Sequence, residues 1–268
     1  MVPTYKMHGS KARSAAWIES CIPQRSFERW VEPFAGRGNV FFRVASQRRF
    51  TAHLLNDLQK APFLKALRDS PDFEFVDGGE INRELWERWK ESPDSPQKWL
   101  AESYVARFGS SWETGPSTAG GDSENGHSRR NTILRMEAAR GLLRRGPAEI
   151  SGLDYLEFLQ RVEPKEGDLV YLDPPYDSDH NVHYAGIDQD EFLRVCLALP
   201  SFVMISGYTS PRYEKALQGW EREVRPRASV GKGVAHKGAS GAKPRVEEVL
   251  WWRDPLASQD PFSFFTGV

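Results

Sequence analysis

Asp173-Pro174-Pro175-Tyr176 follows directly on the apolar run Leu169-Val170-Tyr171-Leu172, and its residue types are suited to chemistry on a planar amine. Ligands of open α/β sheets bind at the carboxyl ends of strands, so an acid, two stiff prolines and an aromatic residue there predict a preorganised rim. The Asp173 carboxylate and the Pro174 carbonyl can both accept hydrogen bonds from one NH2 group, and Tyr176 can stack on the ring that bears it. Acceptors placed this way draw the nitrogen lone pair out of conjugation and make it nucleophilic towards an electrophilic methyl group. The competing reading is a proline turn after a strand with no chemical role.

A second motif, Glu32-Pro33-Phe34-Ala35-Gly36-Arg37-Gly38-Asn39-Val40-Phe41-Phe42, carries the features of a ligand-binding turn. Gly36 and Gly38 let the backbone approach a ligand closely, Phe34 offers an apolar wall, and the helix that follows directs its first N–H groups the same way. A glycine pair at such a turn is a weak signal by itself. Asp57, expected at the end of the next strand, is placed either to accept hydrogen bonds from ribose hydroxyls or to cap the helix after it.

The elements that must position these residues alternate. The spacing of Ala15, Ala16, Ile18, Cys21 and Ile22 predicts a helix ended near Pro23, and Trp30-Val31-Glu32 predicts a strand. The turn around Gly36 feeds a helix over Asn39 to Ala45. A strand from Thr51 to Leu55, stopped by Asn56-Asp57, and a helix from Ala61 to Leu67 follow. The middle reads as two helices, 81–89 and 99–105, then a long loop over 109–128 rich in Gly, Ser and Thr, then an arginine-rich helix from about Arg129 to Arg144. Alternation resumes with a strand at Ala148 to Ile150, a helix from Tyr155 to Arg161 and a strand from Asp168 to Leu172. A helix from Asp190 to Leu199, a strand from Phe202 to Ser206 and a short helix over Tyr213 to Leu217 come next. Two last strands, Trp220 to Val224 and Val246 to Trp252, are joined by a basic loop, Gly231 to Gly241. Such alternation specifies an α/β fold with helices on the faces of a parallel sheet.

Composition sets the class. The chain has 268 residues with 39% hydrophobic and 27% charged, typical of a folded globular protein of one elaborated domain or two small ones. No apolar run approaches the roughly 20 residues that span a bilayer. Met1 to Lys6 lacks the segments of a signal peptide, so a cytoplasmic location is expected. Its two cysteines, Cys21 and Cys196, have no companions at zinc-ligand spacing, which argues against a metal site or a disulfide framework. Net charge is −1, so the composition alone does not suggest nucleic acid. Two segments depart from that balance, Arg129 to Arg145 with Glu137 as its one acid and Arg222 to Arg245 with Glu223 as its one acid. They read either as solvated surface or as a phosphate-binding footprint.

Together the motifs resemble the Dam-type, alpha-group DNA adenine methyltransferases, over most of the chain from Lys11 to Trp251. Glu32 to Phe42 resembles that family's methyl-donor motif, Asp173 to Tyr176 its catalytic motif, and Arg245 to Trp251 its closing strand. The resemblance implies a Rossmann-like S-adenosylmethionine-dependent methyltransferase sheet. Its core would lie in 1–75 and 147–268, with a mostly helical target-recognition segment inserted at 76–146. It also implies S-adenosylmethionine as cofactor, held by Lys11, Phe34, Gly36, Gly38, Asp57, Asp154 and Asp173, of which Asp154 would face the donor's adenine ring. Catalysis would fall to Asp173, Pro174, Pro175 and Tyr176, without a metal. The partner would be double-stranded DNA, met by Arg129, Arg130, Lys232, Lys237 and Lys243, with the enzyme a monomer or a transient dimer on DNA.

The sequence departs from the family in three places. Met7-His8-Gly9-Ser10-Lys11 stands in place of an aromatic residue, a variable one and Gly-Gly-Lys. Arg37 stands where glycine is frequent. The segment from Phe108 to Asn131 lacks the Asn-Gly-x-x-Arg-Tyr-Asn pattern of GATC-reading enzymes and looks more like shorter phage-borne relatives. The expected activity is methylation of the exocyclic amine of an adenine flipped out of the duplex. The alternatives are methylation of an amine in cytosine, RNA or a protein glutamine, and a catalytically inactive DNA-binding relative.

Overall fold

Residues 11–69, 136–175, 186–227 and 246–256 are described by the computed structural model; in them short apolar runs form strands and the stretches between form helices. The chain divides into two compact units, one up to Glu163 and one from Pro164.

In the first unit a 3-10 turn, Lys11–Arg13, and α1, Ala15–Ser20, lead to β1, Arg29–Glu32. Then come α2, Asn39–Gln47, β2, Ala52–Asn56, and α3, Ala61–Asp69. A helical stretch at 136–143, here α4, precedes β3, Ala148–Ser151, and α5, Tyr155–Val162. The three strands are parallel and ordered β3-β2-β1, with Val31 opposite Leu54 and Leu55 opposite Ile150. After its first residue each of β1 and β2 is buried throughout, the pattern of strands covered on both faces. From α2, Phe41 and Phe42 are wholly buried, and burial of a side chain of this size contributes about 1.5–3 kcal/mol.

Arginines secure the helix ends of this unit. Arg145 donates to the Ala45 carbonyl in α2, Arg144 to the Arg68 carbonyl in α3, and Arg68 to the Ala148 carbonyl at the start of β3. Arg29 donates to the carbonyls of Val162 and Glu163, where α5 ends with Glu163 in the left-handed region at φ 43°. Orphan carbonyls at helix ends are satisfied in this way. Part of the first basic segment therefore serves the fold.

The second unit contains β4, Leu169–Leu172, α6, Gln189–Ala198, β5, Phe202–Tyr208, α7, Pro211–Ala216, β6, Glu221–Arg227, and β7, Val246–Arg253. Strands β4 and β5 are parallel, and β7 runs antiparallel between β5 and β6, giving the order β4-β5-β7-β6. Asp188 caps α6 by accepting from the N–H groups of Asp190 and Glu191. The exposed charges Glu221, Arg222 and Glu223 mark β6 as the edge strand.

Each unit thus carries one half of a Rossmann-like strand order, 3-2-1 and 4-5, and the second adds the antiparallel β6–β7 pair. The expected elements are present, with changed ends. Asn56 lies inside β2 rather than stopping it, and β5 continues through Tyr208. The arginine-rich helix is described only from residue 136. The expected helices at 81–89 and 99–105, the loop at 109–128 and the loop Gly231 to Gly241 lie outside the described residues.

Candidate functional site

In the first unit the site is built at the carboxyl ends of β1, β2 and β3. The Trp30 indole donates to Glu32 Oε2 at 2.8 Å, two buried residues on one face of β1, so the strand ends on a fixed carboxylate. The chain then turns through Gly36 at φ 54° and Gly38 at φ 75°, conformations that glycine enters without steric cost. A Cβ on Gly38 would also stand 2.9 Å from Cε2 of Phe42 and 3.2 Å from Cδ2 of Leu64, so packing as well as backbone demands glycine. Between them the buried Arg37 places its guanidinium 5.2 Å from the centroid of the Phe63 ring on α3. That contact joins the loop to α3, which gives this departure from the family a structural role.

Asp57 realises the capping reading and adds to it. Its Oδ1 accepts from the N–H groups of Gln59 and Lys60, at 2.9 and 2.7 Å, and its Oδ2 accepts from Gly36 at 2.8 Å. A carboxylate offers about four acceptor positions, so these three bonds leave room for about one hydroxyl rather than two. The glycine loop and the end of β2 are thereby locked together.

Beside it stands a residue that sequence reasoning missed. Asn56, 1% exposed, donates to the carbonyls of Pro33 and Leu153 and accepts from Ser151 Oγ and the Leu153 N–H. One amide clamps the ends of all three strands of the unit. The exposed Asp154 caps α5 by accepting from Leu156 at 2.9 Å, and the Phe34 and Tyr155 rings lie 5.3 Å apart. Phe34, Gly36, Gly38, Asp57 and Asp154 therefore all sit at these strand ends. Lys11, 4% exposed, belongs to the leading 3-10 turn.

In the second unit Asp173 follows β4 and is half-buried, as expected of a strand-end acid. Its Oδ1 accepts from Ser206 Oγ at 3.0 Å, and Ser206 Oγ lies 2.9 Å from the Tyr171 hydroxyl. Pro174 is buried. The Pro175 carbonyl accepts from Gln189 Nε2 at 3.0 Å, and Gln189 Oε1 accepts from the Tyr213 hydroxyl at 2.7 Å. Neither Ser206 nor Gln189 belongs to a motif. Tyr176, Arg129, Arg130, Lys232, Lys237 and Lys243 lie outside the described residues.

Among the described residues, His53, earlier in β2, carries a large shift towards acid. It is buried in β2 against Phe41 and Phe50, and burial with the nearby Arg145 charge lowers its pKa to about 4, so it is neutral at pH 7. Among the described residues no cluster of His, Cys, Asp or Glu is suited to a metal ion, and no helix is long and apolar enough to cross a membrane.

No curated protein matches the chain. Among solved structures it is similar to a SAM-dependent methyltransferase from Agrobacterium tumefaciens, at 11% identity and a TM-score of 0.42 over 91% of this chain and 62% of that one. It is also similar to a SAM-dependent O-methyltransferase from Thermotoga maritima, at 13% identity and a TM-score of 0.34 over 90% of this chain and 64% of the other. The chain thus spans less than two thirds of the length of either. Residues 8–66, the segment that carries Phe34, Gly36, Gly38 and Asp57, match the family of D12 class N6 adenine-specific DNA methyltransferases.

Proposed function

We propose that this chain is an S-adenosylmethionine-dependent DNA methyltransferase that modifies the exocyclic N6 amine of adenine. The observation that carries the reading is the D12 family match over residues 8–66, which coincides with the glycine loop tied to Asp57. A nucleoside donor fits that place: the loop's left-handed glycines give close backbone approach, Phe34 and Tyr155 supply an apolar wall, and Asp57 keeps capacity for a hydroxyl. Asp154, at the head of α5, presents a second carboxylate.

S-adenosylmethionine supplies an electrophilic methyl group on its sulfonium. Phe34, Gly36, Gly38, Asp57 and Asp154 bind and orient the donor in this reading, with Lys11 at the entry to the core. Asp173 and the Pro174 carbonyl accept the two N–H groups of the target amine, while Tyr176 stacks on the ring. The base must leave the helix to reach them, because its amine cannot meet the sulfonium inside a duplex. The bound donor would give its methyl group to N6 and leave as the thioether, and the proton that N6 must then lose would pass to Asp173 or to water. Rate enhancement comes from positioning and from acceptors aimed at the developing positive charge.

Aspartate at position 173, rather than serine or asparagine, favours adenine over cytosine as the base. The segment 76–146 acts as the target-recognition insertion between core parts 1–75 and 147–268. Arg129, Arg130, Lys232, Lys237 and Lys243 contact DNA phosphates. Incubation with tritiated S-adenosylmethionine and unmethylated DNA, followed by sequencing that maps methyladenine, tests the reading. Label in N6-methyladenine at a defined site is the expected result. Label in cytosine, RNA or protein glutamine overturns the substrate, and donor binding with no transfer to any of them overturns the activity.

A further inference from the structure

Two consecutive prolines deprive the turn after β4 of two backbone N–H groups, so it has few donors with which to anchor itself. What remains for anchoring is acceptors, and buried side chains reach them from both ends. Ser206 stands on β5 one step beyond the registered pair Leu172–Ile205, and its hydroxyl donates to Asp173 Oδ1 at 3.0 Å. A serine has one hydroxyl hydrogen, so the 2.9 Å contact between Ser206 and Tyr171 has the tyrosine as donor. The chain therefore runs in one direction, Tyr171 to Ser206 to Asp173, and Tyr171 and Ser206 are wholly buried. At the other end Tyr213 donates to Gln189 Oε1 and Gln189 Nε2 donates to the Pro175 carbonyl. Gln189 and Tyr213 are buried as well, with Tyr213 packed against Trp251 and Phe192.

We propose that Ser206 and Gln189 are positioning residues that fix the Asp173–Pro175 turn for catalysis, each backed by a buried tyrosine. The inference rests on the methyltransferase reading above and adds to it two residues that act through the turn. A reacting group displaced by about 1 Å costs on the order of a hundredfold in rate, whereas all the residues expected to hold the donor except Asp173 lie in the first unit. Loss of Ser206 should therefore appear in kcat rather than in affinity.

The test compares wild type with Ser206→Ala and with Tyr171→Phe/Ser206→Ala, measuring kcat, KM for DNA, donor affinity by calorimetry and thermal stability. Ser206→Ala takes from the buried Tyr171 hydroxyl its contact with Ser206, so it loses stability; the double variant removes both members of that contact and recovers part of the loss. In both variants kcat is expected to fall at least about tenfold, with KM and donor Kd within about threefold of wild type. The double variant carries the test even where the single one fails to fold. Gln189→Leu/Tyr213→Phe is expected to behave alike from the other end. If kcat of the double variants returns with stability to within about twofold of an active wild type, the relays serve folding alone and this inference is overturned while the functional reading stands. If wild type itself transfers no methyl group, the functional reading falls and takes the inference with it.

Discussion

Asp57 directs both carboxylate oxygens at backbone N–H groups, and that divides its roles in a measurable way. In Asp57→Asn the amide oxygen can keep the Gln59 and Lys60 bonds, while the amide nitrogen faces the Gly36 N–H, donor against donor. A loss of about 1–3 kcal/mol is expected from that mismatch, with donor binding weakened further. Asp57→Ala removes all three bonds and should cost more. Chemical denaturation and calorimetric titration check both, and unchanged donor affinity in a folded variant would reduce Asp57 to a cap. Asn56→Leu is expected to be harsher still, because it leaves four hydrogen-bonding groups at the strand ends without their partner; a denaturation midpoint equal to wild type would refute that account. Asp57 was legible because an acid after a strand is a known signal. Asn56 was not: an asparagine at a strand end ordinarily reads as a turn former, and its partners lie 23 to 97 residues away. Ser206 and Gln189 escaped for the same reason, being defined by what folding brings beside them.

At the scale of elements, the helix that starts at Asn39 depends on the left-handed residue before it. Gly38→Ala adds strain at φ 75° and a 2.9 Å clash with Phe42, so a loss of about 1–3 kcal/mol is expected, measurable as a lowered denaturation midpoint. In β2 the depressed pKa of His53 makes stability depend on pH. The unfolded chain binds a proton near pH 6.5 and the folded protein only near pH 4, so stability falls as pH drops between those values. His53→Phe, should it fold, would flatten that part of the stability profile; an unchanged slope would assign it to other groups. Many elements were legible because strands such as Leu169 to Leu172 are short apolar runs bounded by turn residues, although the charged β6 is not. The order of the last strands was not read, although a signal existed. Val249, Leu250 and Trp251 are buried and belong to an interior strand, while Glu221, Arg222 and Glu223 are exposed and belong to an edge, so β7 lies inside β6.

For the molecule as a whole, the near-zero net charge hides a division of labour among its cations. Arg144 and Arg145 serve backbone carbonyls and Arg222 pairs with Glu214, so these three do not count simply as a footprint for phosphates. Lys232, Lys237 and Lys243, with Arg129 and Arg130, remain the proposed DNA contacts. Changing the three lysines to Ala is expected to weaken DNA binding alike for every sequence, with donor affinity unchanged. Each lost phosphate contact should reduce the slope of log affinity against log salt by about 0.9 in magnitude, and an unchanged slope would place the contacts elsewhere.

The pairing of β2 with β3 bears on what closing the sheet costs. Asn56 and Ser151 touch across 95 positions of sequence, so the sheet is closed by a long excursion that leaves after α3 and returns at α4. The entropy of closing such an excursion grows only with the logarithm of its length, and doubling it adds about 0.6 kcal/mol. The separation in sequence of β2 and β3 therefore adds little to the cost of pairing them, whereas one residue inserted between Asp57 and Ala61 would undo the turn that holds the glycine loop.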